Sequence, residues 1–336
     1  MGVTLKDIAF TLGLSPSTVS RALNDHPDIN EQTRKSVKQL AKKMNYQVNK
    51  MASGLRTRKT YAIGVIVPKI ASHFFSSVLS GIQKVAGSND YQVYICQTNE
   101  STKQEIKYIS SLMAGSVDGI LVSLAKGSKN LKHIKQIIDG DMPLVLFDRT
   151  SDQFKVPKIE AEDFKGAYRA VTHLIEIGCK KIAHLAGPDN LGASHNRLLG
   201  YKQALIDNKI PIDEKLIIPC DFDPEKGREA VRNLISGPID IDGIFSVNDE
   251  IGVEVILALQ AMGINVPQQV AVVGFGDFPI CEIVMPHLSS VMHNPYRIGY
   301  EAAECLFDQI NSSQKGKNFR HIIPSQLVIR ESSRRS

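Results

Sequence analysis

At 336 residues and 37.0 kDa, the chain is long enough for two or three domains, each with its own core. Its 43% hydrophobic and 22% charged residues describe an ordinary soluble globular protein. No run approaches the roughly 20 apolar residues that span a bilayer as a helix, and the first ten residues lack the positive start and long apolar run of a secretory signal, so the cytoplasm is the expected location.

The net charge of +5 is unevenly placed. Residues 1–60 carry seven Lys and four Arg against three Asp and one Glu, a net +7, so the other 276 residues sum to −2. A basic head on a near-neutral body expects a polyanion to meet the head alone. Cys96, Cys179, Cys220, Cys281 and Cys305 are odd in number and scattered without a CxxC pair. They read as reduced, mostly buried thiols, with neither disulfide nor metal site expected.

In chain order, Thr4 with Asp7 three residues later forms a capping-box signature ahead of the apolar face Leu5, Ile8, Ala9, Leu12. Gly13 ends that helix. Ser15 then caps a second helix whose first residue is Pro16, where the missing N–H costs nothing. Val19, Ala22 and Leu23 face back onto the first helix, and Asn30 caps a third whose Val37, Leu40, Ala41 and Met44 complete a small core. Residues 46–60, YQVNKMASGLRTRKT, are basic with little apolar periodicity and read as a linker holding one helical turn at most.

From Tyr61 the texture changes. Short apolar runs (YAIGVIVP, YQVYICQT, DGILVSLA, PLVLFDR, then KIAHLAGP, KLIIPCDF, DGIFSVND, VAVVGFGD) alternate with amphipathic helices such as FFSSVLSGIQKVAG and GAYRAVTHLIEIG. That rhythm predicts parallel sheets covered by helices on both faces, roughly four βα units on each side of a segment at 150–162. Two doubly wound halves with a cleft between them follow, and ligands in such sheets bind beyond the carboxyl ends of the strands.

Two helices joined by a Gly-containing turn in a basic three-helix unit have the form of a helix-turn-helix. Pro16, Ser17 and Thr18 would enter the major groove first, with Arg21 one turn further on. Arg can give paired hydrogen bonds to guanine, Ser and Thr can meet bases or phosphates, and Ser15 at a helix N-terminus suits a phosphate. Thr4, Asn24 and Thr33 are further DNA-facing candidates.

VTLKDIAFTLGLSPSTVSRALN, TRKSVKQLAKKMNY, NKMASGLR and IGVIVP closely resemble the N-terminus of bacterial transcription regulators of the lactose and galactose repressor family. DGILV, VLFDR, GAYRAVTHLIEIG, IAHLAGP, DGIFSVND and VAVVGFGD extend the resemblance over essentially the whole chain. It implies a small all-α helix-turn-helix head on an α/β periplasmic-binding-protein-like body. It also implies that Pro16 and Ser17 occupy the positions that vary most with operator sequence. Asn49 to Leu55 match the family's hinge helix, which orders on DNA with Ala52 closely packed and Leu55 wedged into the minor groove. Ser53 stands where many members carry Arg or Gln, and Gly54 is a poorer helix former than Ala by ~1 kcal/mol, which predicts a more DNA-dependent hinge.

In the body, Asp148, Arg149, Asn248, Asp249 and Asp277 stand at strand ends, where carboxylates, amides and Arg can bind hydroxyls. By the resemblance, Arg197 matches an effector-contacting Arg, Phe74 and Phe75 the first-helix aromatics near the pocket, and Phe222 an aromatic that covers the ligand. Each also has a plain structural reading: the two Phe as core, Asn248 and Asp249 as helix caps, Asp148 as the partner of Arg149. Many relatives carry Asp after the aromatic of the penultimate strand, where this chain has Gly276 and then Asp277.

The expected domains are 1–46 (helix-turn-helix), 47–60 (hinge and linker), 61–162 with about 293–320, and 163–292 with about 321–336. The expected activity is sequence-specific binding of a pseudo-palindromic DNA operator by a homodimer. A sugar or sugar derivative in the cleft would control it, with no cofactor, no metal and no membrane partner. A sugar-binding protein without DNA function would lack the basic head. A nucleotide-dependent enzyme would need a phosphate loop, and GFGD at 274–277 lacks the third Gly of such a motif.

Overall fold

Helix formation in the head follows its punctuation. Asp7 accepts hydrogen bonds from the Thr4 backbone N–H and from the Thr4 hydroxyl, both at 2.7 Å, and so opens α1 (Leu5–Leu12). Gly13 closes it at φ +64°, a left-handed turn in which the Leu14 N–H reaches Ala9 O at 2.9 Å. Ser15 Oγ accepts the Thr18 N–H at the start of α2 (Pro16–Leu23), and Asn30 Oδ1 accepts the Thr33 N–H at the start of α3 (Glu31–Lys43). Ile8, Ala9, Val19, Ala22, Val37 and Ala41 are buried together, with Leu5, Leu12, Leu23, Leu40 and Met44 packed around them, as the helical spacing predicts.

The computed structural model describes residues 3–335 except 24, 47–58, 128–129, 189, 239 and 313–318. It divides into two units, Met1–Thr60 and Tyr61–Ser336.

The body unit contains two six-stranded sheets. In chain order its elements are β1 (Ala62–Val67), α4 (His73–Ser88), β2 (Gln92–Gln97), α5 (Thr102–Met113), β3 (Ile120–Val122), α6 (Lys132–Asp139), β4 (Leu144–Phe147) and β5 (Lys158–Ala161). There follow α7 (Asp163–Glu176), β6 (Ile182–Ala186), α8 (Gly192–Asp207), β7 (Ile217–Pro219), α9 (Pro224–Ile235), β8 (Gly243–Ser246), α10 (Asp249–Ala261), β9 (Ala271–Gly276) and β10 (Ser289–Met292). The last are α11 (Pro295–Asn311), β11 (Arg320–Ile323) and β12 (Gln326–Val328). The first lobe has strand order β11-β5-β4-β3-β1-β2, the second β12-β10-β9-β8-β6-β7. Central strands such as β1, β4 and β9 are buried along their whole length, because helices cover both faces. One core lies on each face of each sheet.

One reading of the body is corrected here. The sheets are not wholly parallel, because β12 runs antiparallel to β10, whereas β5, inside the segment at 150–162, belongs to the first sheet. The chain passes between lobes three times: after β5, between β10 and α11, and between Ile323 and Gln326, the last slightly beyond the expected boundary near 320. Among the described residues, no helix is long and apolar enough to cross a membrane and no His, Cys, Asp and Glu group could hold a metal ion.

Candidate functional site

The start of α2 carries a triangle of hydroxyls. Ser15 Oγ lies 2.7 Å from Ser17 Oγ and 2.8 Å from Thr18 Oγ1, beside the exposed Pro16. One turn on, Arg21 is exposed, with its guanidinium 3.9 Å from the Asp28 carboxylate. Val19 and Ala22 on the opposite face are buried, so the polar face is the outward one. Thr4 and Thr33 are both occupied in caps, Thr4 through its hydroxyl and Thr33 through its backbone N–H. Asn24, Asn49, Ala52 and Leu55 lie outside the described residues.

In the body, the carboxyl ends of the strands of both lobes surround a cavity of about 300 Å³. Phe74, Phe75, Asp148, Arg149, Arg197, Phe222 and Asn248 line it, and so do Lys69, Ser72, Glu100, Lys126, Asp221, Glu250, Phe275, Phe278 and His293. Six of the latter nine follow a strand: Lys69 follows β1, Glu100 β2, Lys126 β3, Asp221 β7, Phe278 β9 and His293 β10, while Ser72 caps α4, Glu250 lies in α10 and Phe275 within β9. The strand-end rule, extended from the strands with strong apolar runs to every strand, points to those six. His293 escapes the narrower rule because the SSVM of β10 has no apolar signature.

Arg197 projects from α8 into a buried setting beside the cavity. Its Nε and Nη2 donate to Asp163 Oδ1 at 2.8 and 2.7 Å, its Nη1 donates to Val247 O at 2.6 Å, and its guanidinium lies 3.7 Å over the Phe275 ring. Each terminal nitrogen keeps a second hydrogen for a ligand. Burial pushes the Asp163 carboxyl up, against the pull of Arg197. Asp148 sits at φ +57° with Ser123 Oγ donating to its Oδ2 at 3.3 Å, and burial lifts its carboxyl to about 6 while Arg149 pulls it down. Arg149 Nη1 reaches both Glu100 oxygens, at 2.8 and 2.9 Å.

The aromatic wall is continuous. His293 stacks on Phe74 with centroids 5.2 Å apart and planes 8° off parallel, and meets Phe275 edge-on at 5.5 Å. Burial lowers this imidazole to about 3, so it is neutral, and its Nδ1 has no protein partner. Asn248 is both a cap, accepting the Ile251 N–H at 3.0 Å, and a lining residue.

Two expected contacts lie elsewhere. Asp249 is fully buried, accepting from Ser290 Oγ at 2.5 Å and from the Phe278 N–H at 2.9 Å, so it ties α10 to β10 instead of facing the cavity. Burial raises its carboxyl to about 6, against those hydrogen bonds. Asp277 is held by Arg330 Nη1 at 2.6 Å. Gly276 between them adopts φ +140°, and a Cβ there would stand 2.7 Å from Asp249 Oδ2 and 2.9 Å from the Phe278 ring.

The family model described as "Bacterial regulatory proteins, lacI family" matches residues 4–49, and that of "Periplasmic binding proteins and sugar binding domain of LacI family" matches residues 60–331. The chain belongs to the LacI family. Catabolite control protein A of Priestia megaterium is 28% identical over 335 residues, covering 99% of this chain and 100% of that one. A solved structure titled as a complex of the transcriptional regulator CelR with cellobiose is 27% identical at a TM-score of 0.75, covering 98% and 99%. The lac repressor dimer bound to operator and the anti-inducer ONPF shares the fold at a TM-score of 0.88 and 23% identity, covering 99% of each chain. This LacI-family chain is accordingly a DNA-binding transcriptional regulator, and such relatives are regulators, not enzymes.

Proposed function

We propose that this protein is a cytoplasmic repressor that binds a pseudo-palindromic operator as a homodimer and is controlled by a neutral sugar or sugar derivative in the body cavity. In each half-site α2 enters the major groove, with Ser17, Thr18 and Arg21 meeting base edges, Pro16 offering apolar contact and Ser15 a phosphate. Thr4, Asn24 and Thr33 contact the backbone, and Asn49, Ala52 and Leu55 act at the centre of the site. The lac repressor relative, titled as a dimer on operator, supports the assembly.

One observation carries the effector class. The two arginines of the cavity already have carboxylates, Arg149 with Glu100 and Arg197 with Asp163, and at the mouth Lys126 has Asp221. A phosphate or carboxylate ligand would meet arginine charge that is already neutralised, whereas a neutral polyol needs only the donors and acceptors that remain, with Phe74, Phe222 and Phe275 against its apolar face. The cellobiose named with the CelR relative is a ligand of that class. Effector control is linkage, in which the ligand shifts operator affinity only by its differential affinity for the two states of the body.

Gel shifts with DNA from the protein's own upstream region, at low and raised salt, test the first half. Thermal shifts with neutral sugars, sugar phosphates, sugar acids and nucleobases test the second. Absence of any sequence-selective binding at low salt overturns the regulator reading, and a response confined to phosphates or acids overturns the neutral effector.

A further inference from the structure

Two loops from opposite lobes approach each other across the mouth of the cavity. Lys126 follows β3 in the first lobe and Asp221 follows β7 in the second, and Lys126 Nζ lies 3.7 Å from Asp221 Oδ1. Neither was singled out in the sequence.

The first loop is rigidly held up to that point. Three successive backbone N–H groups are pinned: Leu124 to Arg149 O at 3.1 Å, Ala125 to Glu105 Oε2 at 2.7 Å, and Lys126 to Glu100 Oε2 at 2.7 Å. Glu105 is fully buried and its other oxygen lies 2.7 Å from His133 Nε2, so the loop is anchored on an interior pair. Glu100 does two tasks, since the carboxylate that takes the Lys126 N–H also takes both hydrogen bonds from Arg149, a residue of the cavity wall.

The second loop is strained. Asp221 at φ +57° and Phe222 at φ +60° are consecutive left-handed residues without a glycine, a conformation kept only where the surroundings enforce it. It places Asp221 toward Lys126 and leaves Phe222 in the cavity wall. Asp221 has a second partner in its own lobe, Lys226 Nζ at 2.6 Å.

We infer that Lys126 and Asp221 form a latch across the cleft, that Lys226, already on the other Asp221 oxygen, keeps that carboxylate paired when the lobes part, and that Glu100 is a positioning residue joining the latch to Arg149. A carboxylate that gives up one ammonium while keeping another never stands unpaired, and Lys126 is already partly exposed to water, so opening leaves no buried charge bare and the two states stay close in free energy. The latch itself needs no ligand. Its link to Arg149 matters for control only if the cavity is the effector site proposed above.

The test uses the full-length protein without ligand, with spin labels attached bio-orthogonally at the exposed Lys107 and Lys209, one in each lobe, and the distance distribution read by pulsed EPR. Both latch residues are partly exposed, at 39% and 35%, so Lys126→Ala is expected to move the closed-to-open ratio toward open by about twofold to fivefold. Lys126→Arg should retain the closed population, Glu100→Gln should loosen it in the same direction as Lys126→Ala, and Lys226→Ala should shift it toward closed. Unchanged distributions in both Lys126→Ala and Lys226→Ala, or shifts of the two in the same direction, overturn the latch. A sugar panel that leaves the wild-type melting temperature unmoved counts against the effector reading alone, because the distances report on the latch without it.

Discussion

Arg21 in the head and Arg197 in the body are the same residue type under opposite conditions. The Arg21 side chain is 54% exposed with one carboxylate at 3.9 Å, whereas that of Arg197 is 8% exposed, donates three hydrogen bonds and rests on Phe275. A residue that reads DNA keeps its water until phosphates and bases replace it, so its empty state needs no built partner. A residue desolvated before its ligand arrives must be paired at all times. On the proposed reading the head can therefore vary its outward face at little cost to its fold, while the groups that line the cavity are also parts of the body's core.

Substitutions should separate the two conditions. Arg197→Ala leaves Asp163 buried without its cation and is expected to destabilise the body by ~3–5 kcal/mol in chemical denaturation. Asp249→Asn, which sets an amide against the Phe278 N–H, should cost ~1–3 kcal/mol. It should also remove a pH slope. The folded carboxyl titrates at about 6 and its ordinary value is 3.8, so Asp249 favours folding at low pH and that contribution is lost as pH rises through about 6. Arg21→Ala should leave the melting temperature almost unmoved and cost ~1–3 kcal/mol at one operator position if it is a base contact. A uniform loss over all sequences would make it a phosphate contact. An effector bound by ionised Asp148 should weaken as pH falls below about 6, approaching tenfold per unit, measured by calorimetry. The smallest effect is expected of Asn30→Ala, which removes the α3 cap for ~1 kcal/mol. An Arg21 variant that unfolds the head, or an Arg197 variant that loses only ligand, would break the contrast.

The same contrast explains what could be read in advance. Thr4 with Asp7, Gly13, Ser15 with Pro16, and Asn30 act on neighbours within four residues, so the head's helices and its outward face are visible in the local pattern. Asp148, Arg149 and Asn248 were legible because strong apolar strands point at them. Asp249 and Asp277 look identical to these in sequence, yet one is claimed by Ser290, 41 residues away, and the other by Arg330, 53 residues away. The strands β5, β10, β11 and β12 are three or four residues long and rich in Ser, Lys, Arg or Gln, so only pairing with distant strands identifies them.

Gly276 has a consequence for how this protein could change its ligand. A side chain there meets Asp249 and Phe278 at once, so installing an acidic residue at this position cannot be a first step. The tie between Asp249 and Ser290 has to loosen, or the Phe278 ring has to turn, before position 276 accepts any substituent. Order is therefore built into the route: a substituent at position 276 follows a change at Asp249, in the core, or at Phe278, in the cavity wall, and a library that varies position 276 alone stalls against both.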